Sequence, residues 1–178
     1  MREPCAAAIE EKLRVRARLS VSPDLREIAP AVDEAVRVAT APHHPSLCPG
    51  VDELRLALTE ALNNVVEHAD HPSHEPIKLC IADEDDLLQI CIQDAGKPLP
   101  VDLLEEPALP TEPVIDEPLV LDELQEGGWG WMLIRASTTG LHYSRQAGKN
   151  RLCLGFDSAT LTPPAGRVVA FAADLGEG

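Results

Sequence analysis

Residues 54–69 read LRLALTEALNNVVEHA. Leu54, Leu58, Ala61, Leu62, Val65 and Ala69 recur at the period of an α-helix. The spacing predicts one amphipathic helix from Val51 to Ala69, with that stripe in the core. Glu60, Asn64 and His68 stand at i, i+4 and i+8, so they share one ridge beside the buried face. His71 to Pro76 breaks the pattern and ends the helix. A glutamate and an asparagine one turn apart are, taken alone, ordinary solvated helix residues, and the rest of the chain decides their meaning.

Downstream, Ile77, Leu79 and Ile81 alternate with polar positions, and so do Leu88, Ile90 and Ile92. The period of two predicts two strands, joined by the acidic stretch Asp83–Asp86. Pairing Ile77 with Ile92, Leu79 with Ile90 and Ile81 with Leu88 keeps every pair apolar on one face. Cys80 and Cys91 then fall diagonally across the hairpin on its second face, where two small half-buried thiols are expected. Gln93-Asp94-Ala95-Gly96 closes the second strand. Residues 97–126 are acidic and rich in proline, a connection of the length that is either functional, as a lid, or disordered. Gly127-Gly128-Trp129-Gly130 opens a further helix carrying Trp131, Ile134 and Arg135 and stopping near Gly140. Of the two tryptophans, one is assigned to the core and the other to a partner contact. Leu141–Arg145 and Arg151–Phe156 read as strands around an Ala147–Asn150 turn.

Upstream, Leu13, Val15, Ala17, Leu19 and Val21 alternate with Arg14, Arg16, Arg18 and Ser20. This predicts a strand with one buried and one basic face. Ser22-Pro23 has the form of an N-cap followed by proline at the first helical position. A helical pattern runs on to Thr40, with a kink or break expected at Pro30. The order strand, helix, helix, hairpin, lid, helix, hairpin predicts a two-layer α/β sandwich. Its sheet is expected to be mixed and mostly antiparallel, with helices on one face. The domain boundaries expected are an arm over 1–11, a domain over 12–156 and an extension over 157–178.

At 178 residues with 44% apolar composition, the chain is long enough for one core that needs no metal or disulfide. The longest apolar run, Val168–Ala173, is far too short for a membrane span, and charge soon after the N-terminus argues against a secretory signal. Five cysteines with no C-x-x-C spacing are expected to be reduced thiols in a cytoplasmic protein. Between Asp83 and Glu126 stand fourteen acids and one base, Lys97, so this stretch carries most of the net charge of −15. Such a surface repels phosphate backbones, which argues against nucleic acid and anionic membrane as partners.

Three short motifs carry chemistry: Glu60-x3-Asn64, Asp94-x-Gly96 and Gly127-Gly128-x-Gly130. An amide oxygen beside a carboxylate suits Mg²⁺. Glycines at a helix start let backbone N–H groups approach phosphates. An aspartate at a strand end can accept from an exocyclic amine, although aspartate is also a common turn residue. Together they describe a nucleotide site without a Walker lysine, and no G-x4-G-K-[ST] occurs in the chain. His68-x2-His71-x2-His74 has metal-like spacing, but Pro72 and the loop around it argue against a fixed site. His68 is expected to pack or hydrogen-bond behind the helix.

In order and spacing, these motifs resemble the boxes of the Bergerat-fold (GHKL) ATPases. LRLALTEALNNVVEHA is similar to the N-box, QDAG (93–96) to the G1 box and EGGWGWMLIR (126–135) to the G2 box. The branch most resembled is the RsbW-type anti-sigma-factor serine/threonine kinases, over residues 12–156. The resemblance implies ATP and Mg²⁺ as cofactors and Glu60 as the catalytic carboxylate for phosphoryl transfer. It implies Asn64 as the Mg²⁺ ligand, Asp94 as receiver of the adenine amino group, and Gly96 as the point of close approach to the base. Gly128 and Gly130 would lie under the phosphates, and the cation for the γ-phosphate would be Lys97 or Arg135. The substrate implied is a hydroxyl on a STAS-type anti-sigma-factor antagonist. The other partner is a sigma factor, and a homodimer is implied as well.

Pro98 stands where the G1 box often has a second glycine, which stiffens the start of the lid. No base lies between Lys97 and Arg135. These departures keep a second reading open: a nucleotide-binding partner-switch module with little or no transfer. A detached ATPase domain of a sensor histidine kinase would need dimerising helices and a phosphoacceptor histidine upstream, where only about 11 residues precede the first strand. A DNA-topology or repair ATPase fits a short acidic chain poorly.

Overall fold

The computed structural model describes residues 14–100, 103 and 129–163. The arm over 1–11, most of the lid, Gly127, Gly128 and residues 164–178 lie outside the described residues. The elements in chain order are β1 (Arg14–Val21), α1 (Leu25–Thr40), α2 (Val51–His68), β2 (Ile77–Glu84), β3 (Leu87–Asp94), α3 (Trp129–Ala136), β4 (Gly140–Gln146) and β5 (Lys149–Asp157). The strands form one sheet in the order β1-β2-β3-β5-β4. Every described pair is antiparallel, so the sheet expected to be mixed is not.

The helices lie on one face, with α2 in the middle touching both α1 and α3. Leu54, Leu58 and Leu62 of α2 are fully buried against Leu79, Ile81, Ile90, Ile92 and Leu154 of the sheet. Each such side chain contributes about 1.5–3 kcal/mol on leaving water. The two periodicities read from the sequence thus meet in one core. No described helix is long and apolar enough to cross a membrane.

Several local expectations are corrected. The β2–β3 hairpin pairs Leu79 with Ile92 and Ile81 with Ile90, two residues from the expected register. The turn is only Asp85-Asp86, and Asp85 takes the left-handed region (φ 51°) that aspartate tolerates. A slip of two preserves the buried face, so alternation alone could not exclude it. It brings Cys80 directly opposite Cys91. The β4–β5 turn is likewise tighter, with positive φ at Ala147 and Gly148, which frees Asn150 to pair in the sheet.

Helix α1 is capped by Asp24, which accepts from the Arg26 N–H, and not by Ser22. It runs unbroken through Pro30. That residue is exposed, so the carbonyl it leaves unpaired can meet water. In β1 a bulge between Val15 and Ala17 removes Arg16 from the basic outer face. Its guanidinium instead donates to the Ala39 carbonyl at 2.6 Å, near the end of α1, and to both oxygens of Asp83.

The cysteines are not all reduced thiols. Cys91 and Cys153 are joined in a disulfide, while Cys48 and Cys80 are free. Counting by spacing misses this bond because its partners are 62 residues apart and meet only through the β3–β5 register.

At the C-terminal side, Gly50 donates to the Thr160 carbonyl at 2.9 Å and Leu161 is buried. The turn after β5 therefore docks on the start of α2. A Cβ at Gly50 would lie 2.3 Å from the Thr160 hydroxyl oxygen, so this docking needs glycine.

Candidate nucleotide site

The site is assembled where the C-terminal half of α2, the end of β3, the start of α3 and the β4–β5 hairpin meet. Asp94, the last residue of β3, is buried at 6% exposure. One carboxylate oxygen, Oδ1, accepts from the Gly96 N–H at 2.7 Å and from the Asn150 side-chain amide at 2.8 Å. Among the described residues Oδ2 accepts no hydrogen bond, and no buried side-chain polar atom is left unsatisfied. The spare oxygen is therefore reachable from the cavity that Asp94 lines together with Asn64, Val65, Leu99 and Tyr143. A fixed carboxylate with one outward acceptor is suited to an exocyclic amine.

Asn150 sits opposite Asp94 in the β3–β5 ladder. Its amide nitrogen also donates to the Lys97 carbonyl at 2.8 Å, and its oxygen accepts from Tyr143 Oη at 2.8 Å and from Arg145. Tyr143 Oη in turn accepts from the Leu99 N–H at 3.1 Å. His71 supports the same turn from behind. Its Nδ1 accepts from the Ala95 N–H at 3.0 Å, and its Nε2–H donates to the Glu75 carbonyl at 2.8 Å. The side chain is 1% exposed.

Sequence reasoning missed all three of these residues. The sequence pattern puts Asn150 in a turn and gives His71 only a metal-like spacing. The signals were the asparagine beside a Gly-containing turn and a histidine just before a strand. The expectation for His68 is corrected too: it is exposed, and its nearest charged partner among the described residues is Glu67 at 4.0 Å. No metal-binding cluster of histidine, cysteine or carboxylate occurs among the described residues.

Gly96 makes the closest approach in the site. A Cβ there would lie 2.4 Å from the Ala69 carbonyl oxygen and 2.7 Å from the Ala69 Cβ. The end of α2 and the Asp94 turn are thus pressed together, and the Lys97 N–H donates to the same carbonyl at 2.6 Å.

Gly130 plays the matching part at the start of α3. Its Cβ position lies 2.7 Å from Glu60 Oε2 and 3.8 Å from Asn64 Oδ1. Neither Glu60 nor Asn64 has a hydrogen-bond partner among the described residues, so two hard oxygens stand free beside a helix N-terminus. That is a donor set suited to Mg²⁺ with retained waters. Gly128 lies outside the described residues.

The two expected cations are engaged elsewhere. Lys97 pairs on the surface with Asp70, which raises its pKa. Arg135 lies over the Trp131 ring, 5.9 Å from its centroid, and donates to the Leu103 carbonyl at 2.8 Å. The Trp131 indole N–H donates to that carbonyl as well. Trp131 is the core tryptophan, at 7% exposure. With Leu99 and Leu103 drawn onto the core, the cavity beside Asp94 has a volume of only about 50 Å³. That is room for one or two waters, so a purine base enters only if Leu99 gives way.

The family model of the histidine kinase-like ATPase domain matches residues 21–156. The chain is 31% identical over 100 residues to a serine-protein kinase RsbW from Oceanobacillus iheyensis. That match spans 55% of this chain and 60% of the relative, so the chain aligns with under two thirds of its length. Among solved structures, the RsbU and RsbW domains of a Mycobacterium tuberculosis protein superpose over 79% of this chain and 32% of theirs. The TM-score is 0.52 at 13% identity, a likeness of fold. The matched region contains Glu60, Asn64, Asp94, Gly96 and Gly130, and the chain belongs to the histidine kinase-like ATPase domain family.

Proposed function

We propose that the chain is an anti-sigma factor with ATP-dependent serine/threonine kinase activity toward a STAS-type antagonist. The observation that carries the reading is the convergence of three distant motifs. Asp94 offers one free oxygen to a cavity that Asn64 also lines, and Gly130 lies against Glu60 and Asn64. Asp94 takes the adenine amino group, and the apolar wall of Val65 and Leu99 covers the base. Asn64 holds the magnesium ion, while Gly128 and Gly130 leave space for the phosphates. Glu60 accepts the proton of the attacking hydroxyl. Bound ATP supplies the phosphoryl group, and the protein's part is mainly positioning and charge neutralisation. Residues 97–126 form the lid, and Lys97 or Arg135 turns toward the γ-phosphate once it closes. A sigma factor, the antagonist and a second copy of the chain are the partners, in the cytoplasm.

A second reading is favoured by one feature: Lys97 is paired with Asp70 and Arg135 is held at the Leu103 carbonyl. If they stay so, the chain binds nucleotide as a partner-switch module and transfers phosphate poorly.

The first test is calorimetry of ATP and ADP with and without Mg²⁺, on the wild type and Asn64→Ala. Magnesium-dependent binding that Asn64→Ala loses supports the site. Absence of binding at micromolar protein and millimolar nucleotide sinks it. Radiolabel transfer to an antagonist, abolished in Glu60→Gln with binding kept, separates the kinase from the switch module.

A further inference from the structure

The sheet face turned away from the helices carries a different chemistry. The antiparallel registers set Arg18, Cys80, Cys91, Cys153 and His142 in one row across β1, β2, β3, β5 and β4. Cys91 is the centre of the row. On one side it is bonded to Cys153, and on the other stands Cys80, a half-buried free thiol directly opposite it. Neighbouring strands lie about 4.8 Å apart, so both cysteines are one strand spacing from Cys91. Cys80 therefore approaches Cys91 from the side opposite to the bonded sulfur, the direction a displacing thiolate takes.

The surroundings are basic in an otherwise acidic protein. A cleft of about 590 Å³ over this row is lined by Arg18, Lys78 and Arg151 together with Cys80 and Cys91, and no lining residue is acidic. The Arg151 guanidinium lies 3.7 Å from Cys91 Sγ. In a chain of net charge −15, this is a local attractor for anions. Cys48, the other free cysteine among the described residues, is buried away from this row, and burial pushes its pKa up.

We propose that Cys80, Cys91 and Cys153 form a thiol–disulfide exchange site that reacts with anionic low-molecular-weight thiols and their disulfides. In the internal step, Cys80 gives its proton to solvent and its thiolate attacks Cys91 Sγ. The Cys80–Cys91 bond forms as the Cys91–Cys153 bond breaks. The electron pair leaves on Cys153, which takes a proton from solvent, so no net oxidation occurs. From the fully reduced protein, one cysteine thiolate attacks a small-molecule disulfide and releases one thiol. A second cysteine then displaces the other thiol, so two cysteines are oxidised as one disulfide is reduced. The exchange moves the covalent tie from the β3–β5 pair to the β2–β3 pair.

The test is disulfide mapping of the full chain equilibrated in glutathione buffers of graded oxidation, acid-quenched and alkylated. In oxidising buffer the wild type should yield both Cys91–Cys153 and Cys80–Cys91 peptides, with Cys48 alkylated as a thiol. Cys153→Ser should yield the Cys80–Cys91 bond alone. Arg151→Gln should slow reaction with glutathione disulfide several-fold and leave reaction with the uncharged hydroxyethyl disulfide unchanged. The exchange site is overturned if Cys80 alkylates fully as a free thiol in every oxidised sample of the wild type. The anion preference is overturned if Arg151→Gln affects both disulfides alike. The wild-type map stands by itself should Cys153→Ser fail to fold.

Discussion

Asn150 and Asp94 face each other across β5 and β3, and the amide of Asn150 holds the same carboxylate oxygen that the Gly96 N–H holds. One oxygen is thereby fixed, and the other accepts no hydrogen bond among the described residues. Both residues are buried, at 4% and 6% exposure, so the pair acts where water does not screen it. Asn150 is thus a positioning residue for Asp94.

Asn150→Ala removes that support, takes away the acceptor of the Tyr143 hydroxyl and leaves Arg145 with the Gly96 carbonyl. Loss of a buried hydrogen-bond partner costs about 1–3 kcal/mol. Urea unfolding should show a loss in that range. Adenine nucleotide affinity, read by calorimetry, should fall about tenfold or more, with its magnesium dependence retained. Unchanged affinity would remove Asn150 from the site.

Gly96→Ala should be severe for a different reason. The new Cβ would meet the Ala69 carbonyl and Cβ, both within 3 Å. These are backbone and near-backbone atoms of the helix end and cannot rotate aside. Overpacking of this kind costs about 1–3 kcal/mol. The midpoint of urea denaturation should drop, and nucleotide binding should fall with it, because the Asp94 turn must lift from α2.

The geometry of the candidate site is legible in the sequence in unequal parts. Glu60, Asn64, Asp94, Gly96 and Gly130 are carried by short local motifs, and α2 displays its periodicity openly, so their placement could be read from order and spacing. Asn150, Tyr143 and His71 could not. Asn150 meets Asp94 only through the β3–β5 ladder and His71 reaches the Ala95 N–H from the loop after α2, and a side chain in a turn gives no sign of the partner it will face. The hairpin register shows the same limit, since moving Leu79 from Ile90 to Ile92 leaves every apolar residue on the same face. Arg16 and the Cys91–Cys153 bond were hidden for a related reason. A bulge and a 62-residue separation are tertiary facts.

Gly130→Ala should separate stability from function. Its Cβ would come 2.7 Å from Glu60 Oε2, the far end of a flexible side chain that can swing away. Alanine favours a helix over glycine by up to about 1 kcal/mol. Thermal unfolding should therefore be unchanged or slightly raised. Magnesium-dependent nucleotide binding should weaken about tenfold, because Glu60 and Asn64 no longer hold their geometry. A parallel loss of stability and binding would contradict this account.

The acid limb of the stability curve should depend on Glu75. Its carboxylate pairs with Lys149, which lowers its pKa below the ordinary 4.5. A carboxylate with a depressed folded pKa contributes fully above its unfolded value, and the contribution fades as pH falls through the folded value. Both partners are more than a third exposed, so the effect is small and salt-sensitive. Glu75→Gln should lower stability slightly at neutral pH and flatten its decline below about pH 4.5. Equal pH slopes for the two proteins in low salt would rule the pair out.

Arg16 offers the sharpest check on the bulge in β1. If the chain alternated without interruption, Arg14 and Arg16 would be equivalent residues of a solvated basic face, and alanine at either would be nearly neutral. Instead the Arg14 side chain is 86% exposed, with a long contact to Asp83 at 3.8 Å. The Arg16 side chain is 25% exposed and ties Asp83 to the C-terminal carbonyls of α1. Cations there also complement the helix dipole. Arg16→Ala should destabilise the protein by about 1–2 kcal/mol in urea unfolding, while Arg14→Ala stays within about 0.5 kcal/mol of the wild type. Arg16→Lys should recover little, because one ammonium cannot bridge a carboxylate and a carbonyl as the planar guanidinium does.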